Sequence, residues 1–265
     1  MISYGYNFED VYIQRLFPGK QDGFYIDVGA AHPTEGSVTR HFYNLGWHGI
    51  NIEPQDGYFQ ALQAERPRDL NLQVAVGAQE EDRTFFDLGG KGGSTLDASN
   101  ADRGSALGFK VSSRTVHMTT LARVCQAHAP GPIDFIKIDV EGWERDVILG
   151  ADWRHFRPLL VVAEATVPFS PELCHESWEP LLLEADYLFA FFDGLNRYYL
   201  RREDAHLAPI LAVPVNVFDH FKTYGQHQAE EALKRSRASY FYKKTSWYAA
   251  LRRLEHRLRH ALRGA

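Results

Sequence analysis

The sequence predicts an α/β fold built on an open, mostly parallel sheet, and three observations carry that prediction. Short apolar runs of strand length recur and end in a carboxylate: Phe24 to Val28 around Asp27, Trp47 to Ile52 before Glu53, Ile133 to Ile138 before Asp139, and Leu159 to Ala163 before Glu164. Segments with helical periodicity separate these runs, which is the alternation that builds parallel sheets. Near residue 190, Asp193-Gly194 joins two aromatic-rich runs and signals a hairpin, so an antiparallel pair closes the series.

In chain order, Phe8, Val11, Tyr12 and Leu16 fall at helical spacing, with Asn7 as the expected cap and Pro18-Gly19 as the stop. This leading helix and the preceding Ser3 to Asp10 are expected to lie at the mouth of the sheet. Phe24 to Val28 is the opening strand and Gly29 its turn. A helix is expected from Pro33 to Asn44, beginning near Thr34-Glu35. Trp47 to Glu53 is the second strand, Gly57 to Glu65 a helix, and Leu70 to Gly77 the third strand. The stretch from Ala78 to Ala129 is less regular, with extra strands at Thr84 to Leu88 and Lys110 to Thr119 and a short helix at Thr120 to His128. Between them, Gly89-Gly90-Lys91-Gly92-Gly93 lacks the phosphate-cradling pattern and reads as a loop beside the site. Two more strand and helix units follow, with helices at Trp143 to Leu149 and Trp178 to Ala185. A proline-broken strap then runs over residues 208–217.

Composition narrows the classes. Two cysteines, Cys125 and Cys174, lie far apart without metal-ligand spacing, which suits a reducing compartment and no disulfide framework. No apolar run reaches the roughly 18 to 20 residues that span a bilayer, so the expected location is cytoplasmic. The net charge of −5 is unevenly spread: from Lys234 onward ten Lys and Arg residues face one acid, Glu255. Residues 1–225 are therefore expected to form the main domain and 226–265 a basic amphipathic helical tail, with Ala250, Leu251, Leu254, Leu258, Ala261 and Leu262 on one face. Such a tail packs on its own domain or meets a protein partner or a membrane surface, peripherally at the inner membrane. It has charge but no readout motif for sequence-specific nucleic acid.

The strand tips carry the chemistry. Open α/β sheets bind ligands beyond the carboxyl ends of their strands, which places Asp27, Gly29 and His32, then Glu53, then Lys137, Asp139 and Glu141, and then Glu164 around one crevice. Glu53 follows Asp27 by a strand, turn, helix and strand, the position from which an acid accepts hydrogen bonds from ribose hydroxyls. The first turn lacks Gly-x-Gly-x-x-Gly, because Ala30, Ala31 and His32 occupy its later positions. Ala31 disfavours the close backbone approach that a pyrophosphate needs. A phosphate-free nucleoside with a charged amino-acid arm fits better, and S-adenosylmethionine is such a molecule.

Several stretches, in this order, resemble the FkbM-type S-adenosylmethionine-dependent methyltransferases: Ser3 to Asp10, Tyr25 to Ala30, Asn51-Ile52-Glu53-Pro54, Val74 to Gly77, Gly93-Ser94-Thr95-Leu96, Asp134 to Gly142, Val161 to Thr166 and Phe192 to Asn196. The resemblance spans about residues 3 to 220 and leaves out the basic tail. It implies a Rossmann-like class I methyltransferase fold, a seven-stranded mostly parallel sheet with a terminal antiparallel hairpin. It also implies cofactor contacts from Asn7, Asp27, Gly29, Ala30, Glu53, Pro54, Val76, Ser94 and Asp139. Asp27 and Gly29 would border the methionine part, Glu53 the ribose and Val76 the adenine, while Asp139 to Glu141 and Glu164 would surround the transferable methyl. The activity implied is O-methylation of a sugar or glycan of the bacterial polysaccharide or lipopolysaccharide type.

Methyl transfer to a hydroxyl asks mainly for alignment and desolvation, with a base in reach of the departing proton. His32, Asp139, Glu141 and Glu164 are the candidate bases, and Lys137 tunes a carboxylate or holds a substrate acid. A divalent cation such as Mg on Asp139 and Glu164 is a second way to lower a hydroxyl pKa. Trp178 and Tyr198 are candidates either for stacking on a sugar or for the core. The competing expectations are a lipid, polyketide or amine acceptor, and a non-catalytic scaffold of a glycan-assembly complex.

Overall fold

The computed structural model describes residues 1–90, 92–239 and 247. The chain divides into a compact unit comprising Met1 and Ser3–Phe221 and a second unit that takes in Ile2 and resumes at Lys222.

Among the described residues of the first unit, seven strands share one sheet. They are β1 (Phe24–Val28), β2 (His48–Ile52), β3 (Leu70–Leu72), β4 (Phe135–Ile138), β5 (Leu160–Glu164), β6 (Tyr187–Phe192) and β7 (Asn196–Arg201). Their order across the sheet is β3-β2-β1-β4-β5-β7-β6. β7 runs antiparallel to both of its neighbours, and every other pairing is parallel. The helices are α1 (Glu9–Leu16), α2 (Arg40–Leu45), α3 (Asp56–Glu65), α4 (Ala98–Ala106), α5 (Leu121–His128), α6 (Glu144–Leu149), α7 (Glu179–Glu184) and α8 (Ala208–Leu211).

Strand alternation sorts the side chains into two cores. Ile26, Ile136, Ile138, Val161 and Ala163 face one layer with Leu121 and Val124 of α5, Val147 and Ile148 of α6, and Leu182 of α7. Tyr25, Phe135, Leu160 and Val162 face the other, with Tyr12, Ile13 and Leu16 of α1, Phe42 of α2 and Leu211 of α8. Burying each such side chain is worth about 1.5–3 kcal/mol. β1, β4 and β5 are buried along their whole length. That is why their sequences read as near-continuous apolar runs, and why a charge at their tips stands out.

The structure departs from the sequence pattern in three places near the cleft. The helix expected from Pro33 begins only at Arg40, because Gly36 adopts φ +74° and the Ser37 and Thr39 hydroxyls bond to Arg66 and Asp27 instead. The third strand splits: Leu70–Leu72 stays in the main sheet, while Ala75–Val76 pairs with Ser112–Thr119 in a three-stranded sheet completed by Glu81–Asp87. Asn7 does not cap α1, whose N-cap is Phe8 at φ 63° without a side-chain bond. The Asn7 amide donates to the Asp193 carbonyl at 3.1 Å.

The strap after β7 closes over α1. The Arg15 guanidinium donates to both Asp219 carboxylate oxygens at 2.7 Å and to the Pro214 carbonyl. In the second unit, residues 224–239 are helical. The apolar face expected from Ala250 to Leu262 lies outside the described residues. No helix among the described residues is long and apolar enough to cross a membrane.

Candidate active site

The carboxyl ends of β1, β2, β4 and β5 open onto one cleft of about 590 Å³. Asp27 and Lys137 are register partners on adjacent strands. Lys137 Nζ lies 3.6 Å from Asp27 Oδ1 and 3.1 Å from Asp139 Oδ2, and donates to the Gly29 carbonyl at 3.1 Å. Burial opposes the ammonium, but Asp139 and Asp27 outweigh it and hold Lys137 above the usual lysine range. Asp27 Oδ2 accepts from the Thr39 hydroxyl at 2.9 Å, while its Oδ1 makes no hydrogen bond. Burial raises the Asp27 carboxyl despite Lys137 and Thr39.

Gly29 is required by geometry. It sits at φ +77°, and a Cβ there would lie 1.8 Å from the Asp139 carbonyl oxygen. Its N–H and that of Ala30 donate to the Ile52 carbonyl at 3.0 and 3.2 Å, binding the turn after β1 to the end of β2. Glu53, just beyond β2, accepts from the Ala31 N–H at 2.8 Å and the Gln55 N–H at 2.7 Å. Burial pushes its carboxyl up to about 7. Pro54 lines the wall beside it, its carbonyl accepting from Arg114. Val76 lines an apolar wall with Val74, Phe85, Leu96 and Trp143.

The β4 tip carries an acidic turn. Glu141 adopts φ 57° and Gly142 φ 94°. The Glu141 carboxylate accepts from the Gly93 N–H at 2.9 Å, and its carbonyl accepts from the Thr95 hydroxyl at 2.8 Å and the Asn100 amide at 3.1 Å. The 93–100 segment is thereby tied to the site, with Ser94 bracing the loop by accepting from the Leu88 N–H at 3.2 Å. Glu144, which sequence reasoning missed, is buried beneath the turn and accepts from the Val140 and Gly142 N–H groups at 3.0 and 3.2 Å. The signal was available: an acid one residue past Gly142-Trp143 at the start of a helix. Burial, then Asp139 and Glu144, raises the Glu141 carboxyl. Burial, then Asp139, Glu141 and Glu144, raises Glu164 further, into the range of a neutral acid at pH 7. Glu164 Oε1 accepts from the Thr166 hydroxyl at 3.3 Å, and its carboxyl also shares a side-chain hydrogen bond with Asp139.

Of the residues singled out from sequence, His32, Asp27, Gly29, Ala30, Glu53, Pro54, Val76, Ser94, Lys137, Asp139, Glu141 and Glu164 all line this cleft. Asn7 is not among its lining residues. His32 is committed to its own turn: Nδ1 accepts from the Thr34 and Glu35 N–H groups at 3.1 and 2.9 Å. Nδ1 is thus occupied as an acceptor within the turn, which leaves Nε2 as the ring's other polar atom. Trp178 and Tyr198 belong to the core, being 1% and 0% exposed. The aromatic side chains at the cleft are instead Tyr6, Tyr58, Phe85, Trp143 and Phe169.

The donor set decides between ligands. Asp139 and Glu164 do not suit a divalent cation. Asp139 is already paired to the Lys137 ammonium, and no group of three or more His, Cys, Asp or Glu side chains among the described residues is placed to hold a metal. A polar organic ligand suits them better. Trp143 Nε1 is buried without a hydrogen-bond partner, Asp27 Oδ1 faces the Lys137 ammonium at 3.6 Å without a hydrogen bond, and both residues line the cleft.

Comparison with known proteins adds a family. The model described as "Methyltransferase FkbM domain" matches residues 27–189, a span that contains the whole strand-tip constellation. No curated protein sequence matches the chain. Among solved structures, the chain is similar to one titled "Crystal structure of fibrillarin/Nop5p complex", at 15% identity over 69% of this chain and 74% of that one, with a TM-score of 0.35.

Proposed function

Because the chain belongs to the FkbM methyltransferase domain family, we propose that its cleft binds S-adenosylmethionine and that the transferred methyl goes to a hydroxyl of a sugar or glycan of the bacterial polysaccharide or lipopolysaccharide type. The observation that carries this reading is the convergence of the Asp27, Asp139 and Glu164 carboxyls with the Gly29 turn in one cleft.

S-adenosylmethionine supplies an electrophilic methyl on a sulfonium that is itself a good leaving group. The protein's share is then alignment, exclusion of water and removal of one proton. Asp27, Gly29 and Ala30 hold the charged methionine arm, Glu53 and Pro54 the ribose, and Val76 the adenine. Asp139, the acid paired with Lys137 and half-open to the cleft, takes the hydroxyl proton. Glu164, neutral at pH 7, serves as a hydrogen-bond donor to the acceptor oxygen. Glu141 fixes the turn that carries Asp139, and Lys137 balances the charge of Asp27 and Asp139.

Calorimetry with S-adenosylhomocysteine tests the cofactor half. The wild type is expected to bind, and Asp27→Ala and Glu53→Ala to weaken binding by at least about tenfold, the loss of a hydrogen bond to a charged group. Wild-type protein that does not take up this product would end the reading. Labelled methyl transfer onto a bacterial glycan extract tests the acceptor half. Label appearing only in lipid or amine fractions would move the assignment to those acceptors, and absence of any transfer by binding-competent protein would favour a scaffold.

A further inference from the structure

The amino-terminal arm presents a feature that the cofactor half of the cleft does not use. Tyr6 lines the cleft yet is 77% exposed, between neighbours that are buried at Ser3, Glu9 and Asp10. The arm is held at several points. The Ser3 hydroxyl and the Tyr4 N–H donate to Asp10 at 2.7 Å, the Asn7 amide donates to the Asp193 carbonyl, and the Asn196 amide donates to Glu9 at 3.1 Å. Phe8 sits at φ 63°, a left-handed conformation that costs a bulky residue about 1–3 kcal/mol and persists only where its surroundings over-determine it. Such fixing around one open aromatic ring is expected of a ligand contact, since a packing residue would be buried.

The ring has a prepared seat. A Cβ on Gly36 would lie 2.4 Å from Tyr6 Cε2, so the Tyr6 ring lies directly against the Gly36 backbone. Glu35, next in the chain, also lines the cleft, and partial burial together with the Glu35 charge raises the Tyr6 hydroxyl. An aromatic face beside a carboxylate suits a polyol, whose C–H face packs on the ring while its hydroxyls donate to the acid. The field of the cleft narrows the choice further. Lys137 is the one lysine or arginine among the described lining residues, and Asp27 and Asp139 already engage it. A phosphate or uronate would meet Glu35 and the strand-tip acids with no free cation among the described lining residues, which penalises it.

We propose that Tyr6 and Glu35 form the acceptor subsite and that it takes an uncharged sugar ring, discriminating against phosphorylated, nucleotide-linked and uronic sugars. This rests on the methyl-transfer reading of the cleft; Tyr6 stands outside residues 27–189, on which the family match rests, and Glu35 lies within them.

Saturation-transfer NMR on the full chain, filled with S-adenosylhomocysteine, tests it with methyl glycosides of glucose, mannose, rhamnose and fucose beside glucose 6-phosphate and glucuronate. At least one neutral glycoside is expected to bind, with the two anions at least about tenfold weaker. Tyr6→Ala is expected to lose about tenfold in that affinity, Tyr6→Phe to stay within about threefold, and both to bind S-adenosylhomocysteine as the wild type does; an aromatic contact of about 1.5 kcal/mol sets that scale. Tyr6→Ala that binds the glycoside normally, a matching fall in S-adenosylhomocysteine affinity, absence of binding by every neutral glycoside, or anions binding as tightly would each overturn the proposal. Failure of the wild type to bind S-adenosylhomocysteine would instead strike the cofactor reading. Both variants are checked by thermal unfolding, where substitution of an exposed side chain should leave the midpoint unchanged.

Discussion

Asp27 and Lys137 stand side by side on adjacent parallel strands, their charges 3.6 Å apart and both side chains buried. Without the ammonium, Asp27 would retain only the Thr39 hydroxyl, and breaking a buried pair by removing one partner costs about 3–5 kcal/mol. Lys137→Met is expected to lower the unfolding free energy by about that amount, and Asp27→Asn added to it to restore a substantial part. Urea denaturation of the two single variants and the double variant measures the coupling. Strictly additive losses would show that the two charges do not act as a pair.

Stability of the ligand-free protein should fall as pH rises from about 5 to 8. Burial pushes Glu9, Glu53 and Glu144 up to about 7 and Asp10 up to about 6. For an acid whose pKa is higher folded than unfolded, the native state binds the extra proton between the two values. Its stabilising contribution is therefore complete below the unfolded pKa and is lost as pH passes the folded one. Urea midpoints across this range check the sign, and Glu144→Gln should flatten the slope while keeping an acceptor for the Val140 and Gly142 N–H groups. A midpoint that climbs from pH 5 to 8 would contradict the buried-acid description.

Much of the site was legible because strand ends are local in sequence. An apolar run closing on an acid placed Asp27, Glu53, Asp139 and Glu164 at sheet tips, and Gly29 followed from the turn that has to leave β1. What was not legible depends on distant or turn-level bonding. Tyr6 reaches the cleft because Asn7 bonds to Asp193, 186 residues away, and no local pattern encodes that contact. The bonds that the Thr34 and Glu35 N–H groups donate to His32 Nδ1 are likewise set by the turn and not by any sequence pattern. Thr34 to Thr39 reads as helix by composition, yet Gly36 and two hydroxyls committed elsewhere hold it as a turn.

Gly29→Ala should damage both fold and binding. The added methyl would lie 1.8 Å from the Asp139 carbonyl oxygen, backbone against which no rotamer offers relief, and φ +77° is itself unfavourable for alanine. Strain and overpacking together predict a loss of at least about 2 kcal/mol by thermal or urea unfolding. S-adenosylhomocysteine affinity should drop more than in a Gly19→Ala control, where a Cβ meets nothing within 4 Å. Equal behaviour of the two variants would mean that the β1 turn is not held against the β4 tip.

The two acids once considered for a metal should respond differently to the same isosteric change. Glu164 is held neutral by burial and by Asp139, Glu141 and Glu144. Glu164→Gln therefore removes no charge at pH 7 and keeps a group able to donate to an acceptor oxygen. Asp139 pairs with Lys137 at 3.1 Å, so Asp139→Asn removes the proposed proton acceptor and loosens the ammonium. Methyl transfer is expected to fall by about 10²- to 10⁴-fold in Asp139→Asn, the range for loss of a general base, and by about tenfold or less in Glu164→Gln. A chelator such as EDTA should leave the wild-type rate unchanged, because Lys137 already supplies the cation at this strand tip. Equal collapse of both variants, with activity lost to EDTA and restored by magnesium, would return the pair to the role of metal ligands.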